Sequence, residues 1–420
     1  MRRGGADPVV ERQHPGRRLT GHVAPGRAAG TRRPVLEGPR GTLVTWLAIG
    51  AWTAGWGWSR LPSSGVSWHF FVDGARALFG GSGLHLYAQH PDLQIGPLGF
   101  VVTELLSPLP AAAQRGAAQV AMTAVAPLLL WLLAPLVAGD PSRRQLRLLL
   151  AGLVLAPGWT ALSVRWMHLE DVLALLLAVV AVRLVGLALR DDGPAWAGGA
   201  AGLALGAAMT AKPWAIGFVP ILLALPLRRM LTGVATAAAA AVAGWGPFLG
   251  ADPGTVAALH PPVPITDSSG LWTLGFRGAT VPSWGRTAQL VASPLVGAVV
   301  ALRRRWPGVL LAAVAIRLAL DPQDIEYYAA GAVVAALVLD LVATRWTVPW
   351  TALVTAIVLW QPFARDFTHR FTTEHGPALW WFEHPWPVGV AHLLWSVAAV
   401  TLALVLPAAP ERLSAARAPG

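Results

Sequence analysis

Residues 96–110, GPLGFVVTELLSPLP, decide the fold, because every later crossing of the chain depends on whether this run crosses a membrane. A helical span needs roughly 20 consecutive apolar residues. Here Gly96, Pro97 and Gly99 open the run, Glu104 interrupts it, and Pro108 and Pro110 close it. Proline and glycine at both ends and a carboxylate in the middle predict a surface or re-entrant segment. Read as a span, the same run would move the turn Arg143–Arg147 to the opposite face and invert everything downstream.

The composition requires a membrane in the first place. The 420 residues are 55% hydrophobic and 13% charged, with mean hydropathy +0.54. Soluble domains carry about 25% charged residues, so a soluble multidomain enzyme is excluded. There is no cysteine, which removes disulfides, thiol catalysis and thiolate metal sites and leaves His, Asp and Glu as metal ligands. The formal charge of +11 is concentrated first in residues 1–40, an Arg-rich tail mixed with Gly, Pro and Ala. It reads as a disordered cytoplasmic tail that fixes orientation, not as a nucleic-acid binder. No cleavable signal peptide is visible, since the first apolar run starts far from the N-terminus.

Twelve apolar runs follow, at 42–60, 112–137, 147–163, 171–189, 195–210, 213–227, 230–249, 287–302, 307–320, 328–343, 347–363 and 388–407. The expected fold is an all-α polytopic membrane protein of about 12 transmembrane helices over 41–408, with a short tail at 409–420. With residues 96–110 kept out of the count, Arg143, Arg144, Arg147, Arg190, Arg228, Arg229, Arg303–Arg305 and Arg345 fall on one face together with both tails. The positive-inside rule makes that face cytoplasmic. The polar clusters then share the other face, beginning with the first outer loop, 61–111.

That loop contains Trp68–Phe100, WHFFVDGARALFGGSGLHLYAQHPDLQIGPLGF, with Asp73, Arg76 and Tyr87 among aromatic residues. Asp73 can cap a helix start, or act as an ionisable group at the interface with a function of its own. Later outer segments carry Arg165 and His168-Leu169-Glu170-Asp171, then Lys212 before Pro213, then Arg317 to Tyr328 with Asp321, Asp324 and Tyr327. Glu170 and Asp171 suit a helix N-terminus through the dipole. Equally, His168 and Asp171, three apart on one face, can bind a cation or orient a hydroxyl. Lys212 is the one lysine of the chain. It either snorkels to the interface or meets a phosphate as a point charge. Capping accounts for Asp324, and an aromatic belt for the Tyr pair. The histidines 369, 375 and 384 lack metal-motif spacing.

The order VDGARALFGGSGLHLY, GPLGFVVTELLSPLP, HLEDVLALLLAVVAVRL, AGLALGAAMTAKPWAIGFVPILLALP, RLALDPQDIEYYAAG across residues 68–340 resembles the GT-C superfamily of membrane glycosyltransferases. It is most similar there to the polyprenol-phosphate-mannose-dependent mannosyltransferases of actinobacterial type. The resemblance implies a GT-C-like bundle with amphipathic surface helices in the first outer loop, in the plasma membrane, with both termini cytoplasmic and the active site outside. It implies a polyprenyl-phosphate-linked sugar donor bound by 74–110, a glycan or glycolipid acceptor of the cell envelope, Asp73 as general base, and Lys212 at the donor phosphate. Arg165 and Arg317 can add positive charge at the leaving group. Many relatives pair two acids in the first loop, whereas Asp73 is flanked by Val72 and Gly74. No tightly bound metal is therefore expected, and a divalent cation is the one cofactor left open. Sugar identity stays open between mannose and a pentose. Two other classes remain: a lipid or solute transporter, which needs charges along a mid-membrane pathway, and an inactive GT-C-like scaffold.

Overall fold

A computed structural model describes residues 38–359 and 383–406. The expected tails, apart from residues 38–40, and Asp366, His369, Arg370, Glu374 and His375 lie outside the described residues. The described residues form helices and no strand; Pro264 and Thr280 share an isolated antiparallel bridge.

Nearly every expected run is a helix. In order they are α1 Gly38–Arg60, then α2 Trp68–Phe79 and α3 Pro97–Glu104 in the first loop, then α4 Ala111–Leu133, α5 Pro141–Thr160, α6 Leu169–Ala188 and α7 Ala197–Ala211. After a 3₁₀ segment, Pro213–Ala224, come α8 Leu227–Ala251, α9 Gly285–Leu302, α10 Val309–Ala319, α11 Tyr328–Val338, α12 Trp350–Leu359 and α13 Trp386–Val405. Among the described residues, six segments are long and apolar enough to cross a bilayer: Ala111–Leu136, Pro141–Trp166, Leu169–Ala188, Leu227–Ala251, Gly285–Leu302 and Trp386–Val405. Five more apolar helices span only 10–17 residues, among them Ala197–Ala211 and Pro213–Ala224. Their shortness has a local cause. Pro213 and Pro220 remove backbone donors and wind the segment between them as a 3₁₀ helix. Leu231, Val234, Val242 and Leu249 on α8 point outward, as lipid contact allows and water does not.

The run that opened the sequence reading forms no helix long enough to cross. α3 ends at Glu104 after 8 residues, about 12 Å of helix against a core of roughly 30 Å. It packs instead on α2. Phe71 and Phe100 are fully buried there, and a Cβ at Gly74 would lie 2.1 Å from the Phe100 ring.

The helices close in on one another through small residues. Gly198, Gly202 and Gly206 recur every four positions along α7 and meet α8. A Cβ at Gly202 would sit 1.8 Å from the Gly233 carbonyl, and one at Gly206 would sit 2.4 Å from that of Ala237. Dispersion at such close approach holds helices together where lipid removes the hydrophobic drive. At one end of the bundle, arginines close helix C-termini. Arg147 donates to the carbonyls of Ala138, Asp340, Leu341 and Thr344, Arg143 to that of Arg345, and Arg229 to those of Ala188 and Gly193. Positive groups there complete the last carbonyls and suit the dipole.

Candidate functional site

The opposite end gathers a mixed cluster of carboxylates, cations and a histidine. α5 continues as a π-helix over Ala161–Trp166, and Met167 then takes a left-handed backbone, φ 54°, although its side chain is fully buried. A left-handed non-glycine residue costs roughly 1–2 kcal/mol, and π-turns and strained residues concentrate at functional sites. The turn delivers His168, Glu170 and Asp171 together at the start of α6.

His168 is the hub. Its Nδ1 lies 3.0 Å from Glu170 Oε1 and 3.6 Å from Asp171 Oδ2, and its Nε2 lies 3.0 Å from Ser67 Oγ. Its ring stacks on Tyr327 at 3.9 Å. Lys212 enters from the C-terminus of α7 on extended backbone. Its Nζ donates to Glu170 Oε1 at 2.7 Å and approaches Asp171 Oδ2 at 3.7 Å. Trp214 Nε1 donates to Asp171 Oδ1 at 3.2 Å. The Arg317 guanidinium lies 4.7 Å from the Trp214 ring centre and 4.6 Å from that of Tyr328, and pairs with Asp321 at 3.6 Å. Arg165 and Arg60 both hold Glu326, at 2.6 and 3.2 Å, and Asp324 meets His392 at 3.3 Å.

These charges are almost dry. Glu170 and Asp171 are buried, with side-chain exposures of 1% and 6%, against 16% for Lys212. Burial alone would lower the pKa of both His168 and Lys212. The charges of Glu170 and Asp171 outweigh it and raise both above their ordinary values. Lys212 is therefore an ammonium, and the imidazolium of His168 is favoured. Burial also pushes the Tyr327 phenol well above its ordinary value, so it is neutral.

A cavity of about 460 Å³ opens onto this cluster. Glu170, His168, Lys212 and Arg317 give its polar floor, and Phe70, Trp166, Trp214, Trp245 and Tyr327 its aromatic walls. Asp92, Gln94, Arg286, Gln289 and Gln323 add to the polar lining, and convergent polar groups among aromatic walls suit a small molecule. A second groove, of about 480 Å³, is apolar and is bordered by Leu78, Phe79, Leu84, Leu98, Val101 and Phe248.

Of the residues singled out in the sequence, Arg165, His168, Glu170, Asp171, Lys212, Arg317, Asp321, Asp324 and Tyr327 come together at this end. Asp73, Arg76 and Tyr87 do not join the cluster. Asp73 is 60% exposed, pairs with Arg76 at 3.3 Å and does not line the cavity. α2 turns Trp68, Phe71 and Ala75 inward, and that phase leaves Asp73 and Arg76 on the outer side. Tyr87 is buried, donates to the Ile95 carbonyl at 2.7 Å and packs on Trp245 and Phe248, which is a structural role. Sequence reading missed Ser67, which precedes α2 and meets His168, and the pairing of Arg60 with Glu326. The 68/71/75 periodicity in Trp68–Ala75 is the signal that points Asp73 away.

No protein-family model, no curated protein and no solved structure matches the chain.

Proposed function

We propose that the chain is a polytopic membrane glycosyltransferase of GT-C-like architecture, with about twelve spans, moving mannose or a pentose from a polyprenyl-phosphate donor to a glycan or glycolipid acceptor on the outer face of the plasma membrane. The observation that carries this reading is the dry charge cluster of Glu170, Asp171, His168, Lys212 and Arg317, four of which, all but Asp171, line an aromatic-walled cavity. Such a reaction needs a proton acceptor for the attacking hydroxyl, fixed positive charge for the departing phosphate, and restricted water. Lys212 and Arg317 supply the positive charge. Aromatic rings such as Trp166 and Trp214 suit a sugar face. The apolar groove beside α2 and α3 suits the isoprenoid chain.

The proton acceptor in this reading is Glu170, not Asp73. Glu170 Oε1 is held by Lys212 and His168, while its buried Oε2 has no hydrogen-bond partner and Glu170 borders the cavity. The acceptor oxygen attacks the anomeric carbon as Glu170 Oε2 takes its proton. The bond to the phosphate oxygen breaks, and its electron pair leaves with the polyprenyl phosphate beside Lys212. Attack on the face opposite the phosphate inverts the anomeric centre. A transport pathway would place charges across the middle of the bundle, whereas Glu170 and Asp171 occupy the first turn of α6.

The test is sugar transfer by the purified chain in lipid nanodiscs, with a panel of polyprenyl-phosphate sugars. Transfer from at least one donor is expected, and none from any would end the reading. Glu170→Gln is expected to lower kcat by about 10²–10⁴-fold. Asp73→Asn is expected to stay within about threefold of the parent, since surface charges away from the reacting atoms contribute little. The reverse ranking would return the base to Asp73.

A further inference from the structure

The nitrogen and oxygen atoms around Lys212 form a metal-ligand set. His168, Glu170 and Asp171 each offer one donor atom, and all three lie within 4.8 Å of one another. His168 Nδ1 stands 3.0 Å from Glu170 Oε1 and 3.6 Å from Asp171 Oδ2. Neighbouring ligands of an octahedral ion with bonds of about 2.1 Å are roughly 3 Å apart. One imidazole and two carboxylates suit a first-row divalent ion.

The chain itself places a cation against the two carboxylates of this set. Lys212 Nζ is 2.7 Å from Glu170 Oε1 and 3.7 Å from Asp171 Oδ2. An ammonium and a divalent cation cannot share that space, because both need the same oxygens and they repel. The ligand set is also incompletely used. Glu170 Oε2 and Asp171 Oδ2 are buried and accept no hydrogen bond, although burying a carboxylate oxygen without a donor is costly. A single ammonium has three donors and does not complete two carboxylates as a metal would.

The identity of the residue agrees. Lys212 is the one lysine among 32 basic residues, all the others being arginine. A guanidinium is a wide planar fork, and an ammonium is a compact point charge. The niche between Oε1, Oδ2 and the imidazole admits the second.

We propose that the Lys212 ammonium is a tethered cation standing in the position of a divalent metal ion among His168, Glu170 and Asp171, so that removing it converts the cluster into a divalent-cation site. The proposal deepens the transferase reading by making the charge at the leaving phosphate part of the chain and independent of added metal.

The experiment is Mn²⁺ binding to the purified full chain in nanodiscs at fixed pH, followed by the loss of the free-ion electron paramagnetic resonance signal. The parent is expected to show no stoichiometric site. Lys212→Ala is expected to bind one Mn²⁺ per chain about tenfold or more tightly than the parent, and Glu170→Gln added to it is expected to remove the gain. Mn²⁺ is also expected to raise the unfolding temperature of Lys212→Ala and not that of the parent. Lys212→Met keeps the side-chain stem and serves if the alanine variant does not fold. A stoichiometric Mn²⁺ site in the parent, or no gain in either variant, would overturn the proposal. No sugar donor enters this measurement. A parent without transfer activity therefore removes the transferase reading and leaves the ion site standing, and absent metal binding does the converse.

Discussion

Lys212 concentrates the physics of the molecule in one side chain. Its ammonium stands 2.7 Å from Glu170 Oε1 and 3.7 Å from Asp171 Oδ2, beside two carboxylates that are almost fully buried. Removing one partner of a buried ion pair costs about 3–5 kcal/mol, because the remaining charge has lost its solvation and its partner. Lys212→Arg keeps the charge and changes its shape. The guanidinium is broader than the ammonium that sits against Glu170 Oε1 and Asp171 Oδ2. We expect Lys212→Arg to unfold several degrees below the parent and to lose at least about tenfold in transfer, with the donor KM rising more than kcat falls. A scanning-fluorescence melt with donor titration checks it, and parental stability and KM would refute the steric argument. Lys212 was visible in the sequence as the lone lysine before a proline, and so were its neighbours His168, Glu170 and Asp171 from their spacing. The link to Ser67 was not visible, because it depends on the left-handed turn at Met167, and nothing in a Met side chain announces that conformation.

At the scale of elements, the first loop is a built unit. α2 and α3 are joined through Gly74 and Phe100, and the loop is lashed to the end of α7 at Gly96. Gly96 N–H donates to the Ala211 carbonyl at 3.2 Å, and a Cβ there would lie 2.2 Å from the Thr210 carbonyl. Both partners are backbone, so neither can swing aside. The contact is two residues from Lys212, which ties the first loop to the charge cluster. Gly96→Ala must push α3 away from α7. We expect a loss of about 1–3 kcal/mol, as for other overpacked sites, and a drop in transfer larger than the loss of folded protein explains. Hydrogen exchange over residues 96–104 and 208–214 should rise together in this variant. Exchange confined to 96–104 would show that the loop is held elsewhere. From Pro, Gly and Glu104 the sequence predicts a surface or re-entrant segment at 96–110, and α3 there is only 8 residues long. It reads Asp73 as a cap or an interfacial ionisable group, and the 68/71/75 pattern of α2 leaves Asp73 on the outer side. It runs the helix expected at 213–227 past Ala224, in a segment where proline geometry replaces α-helix by 3₁₀.

The whole molecule is polarised. One end carries arginines that close helix C-termini, as Arg143, Arg147 and Arg229 do. The other carries the mixed cluster, in which carboxylates and cations neutralise each other at close range. In the proposed reading this asymmetry sets the orientation, with the arginine-rich turns in the cytoplasm and the active site outside, within reach of a lipid-linked sugar on that face. The absence of cysteine from the sequence makes this directly measurable. Arg76→Cys places a thiol on exposed α2, and Arg144→Cys and Asp192→Cys place thiols on exposed turns of the arginine end. In intact cells a membrane-impermeant maleimide should label Arg76→Cys alone, and all three should react once the membrane is opened. Labelling of Arg144→Cys or Asp192→Cys in intact cells, with Arg76→Cys protected, would put the cluster in the cytoplasm. The donor would then be a cytoplasmic one, and the cavity would need a different substrate class.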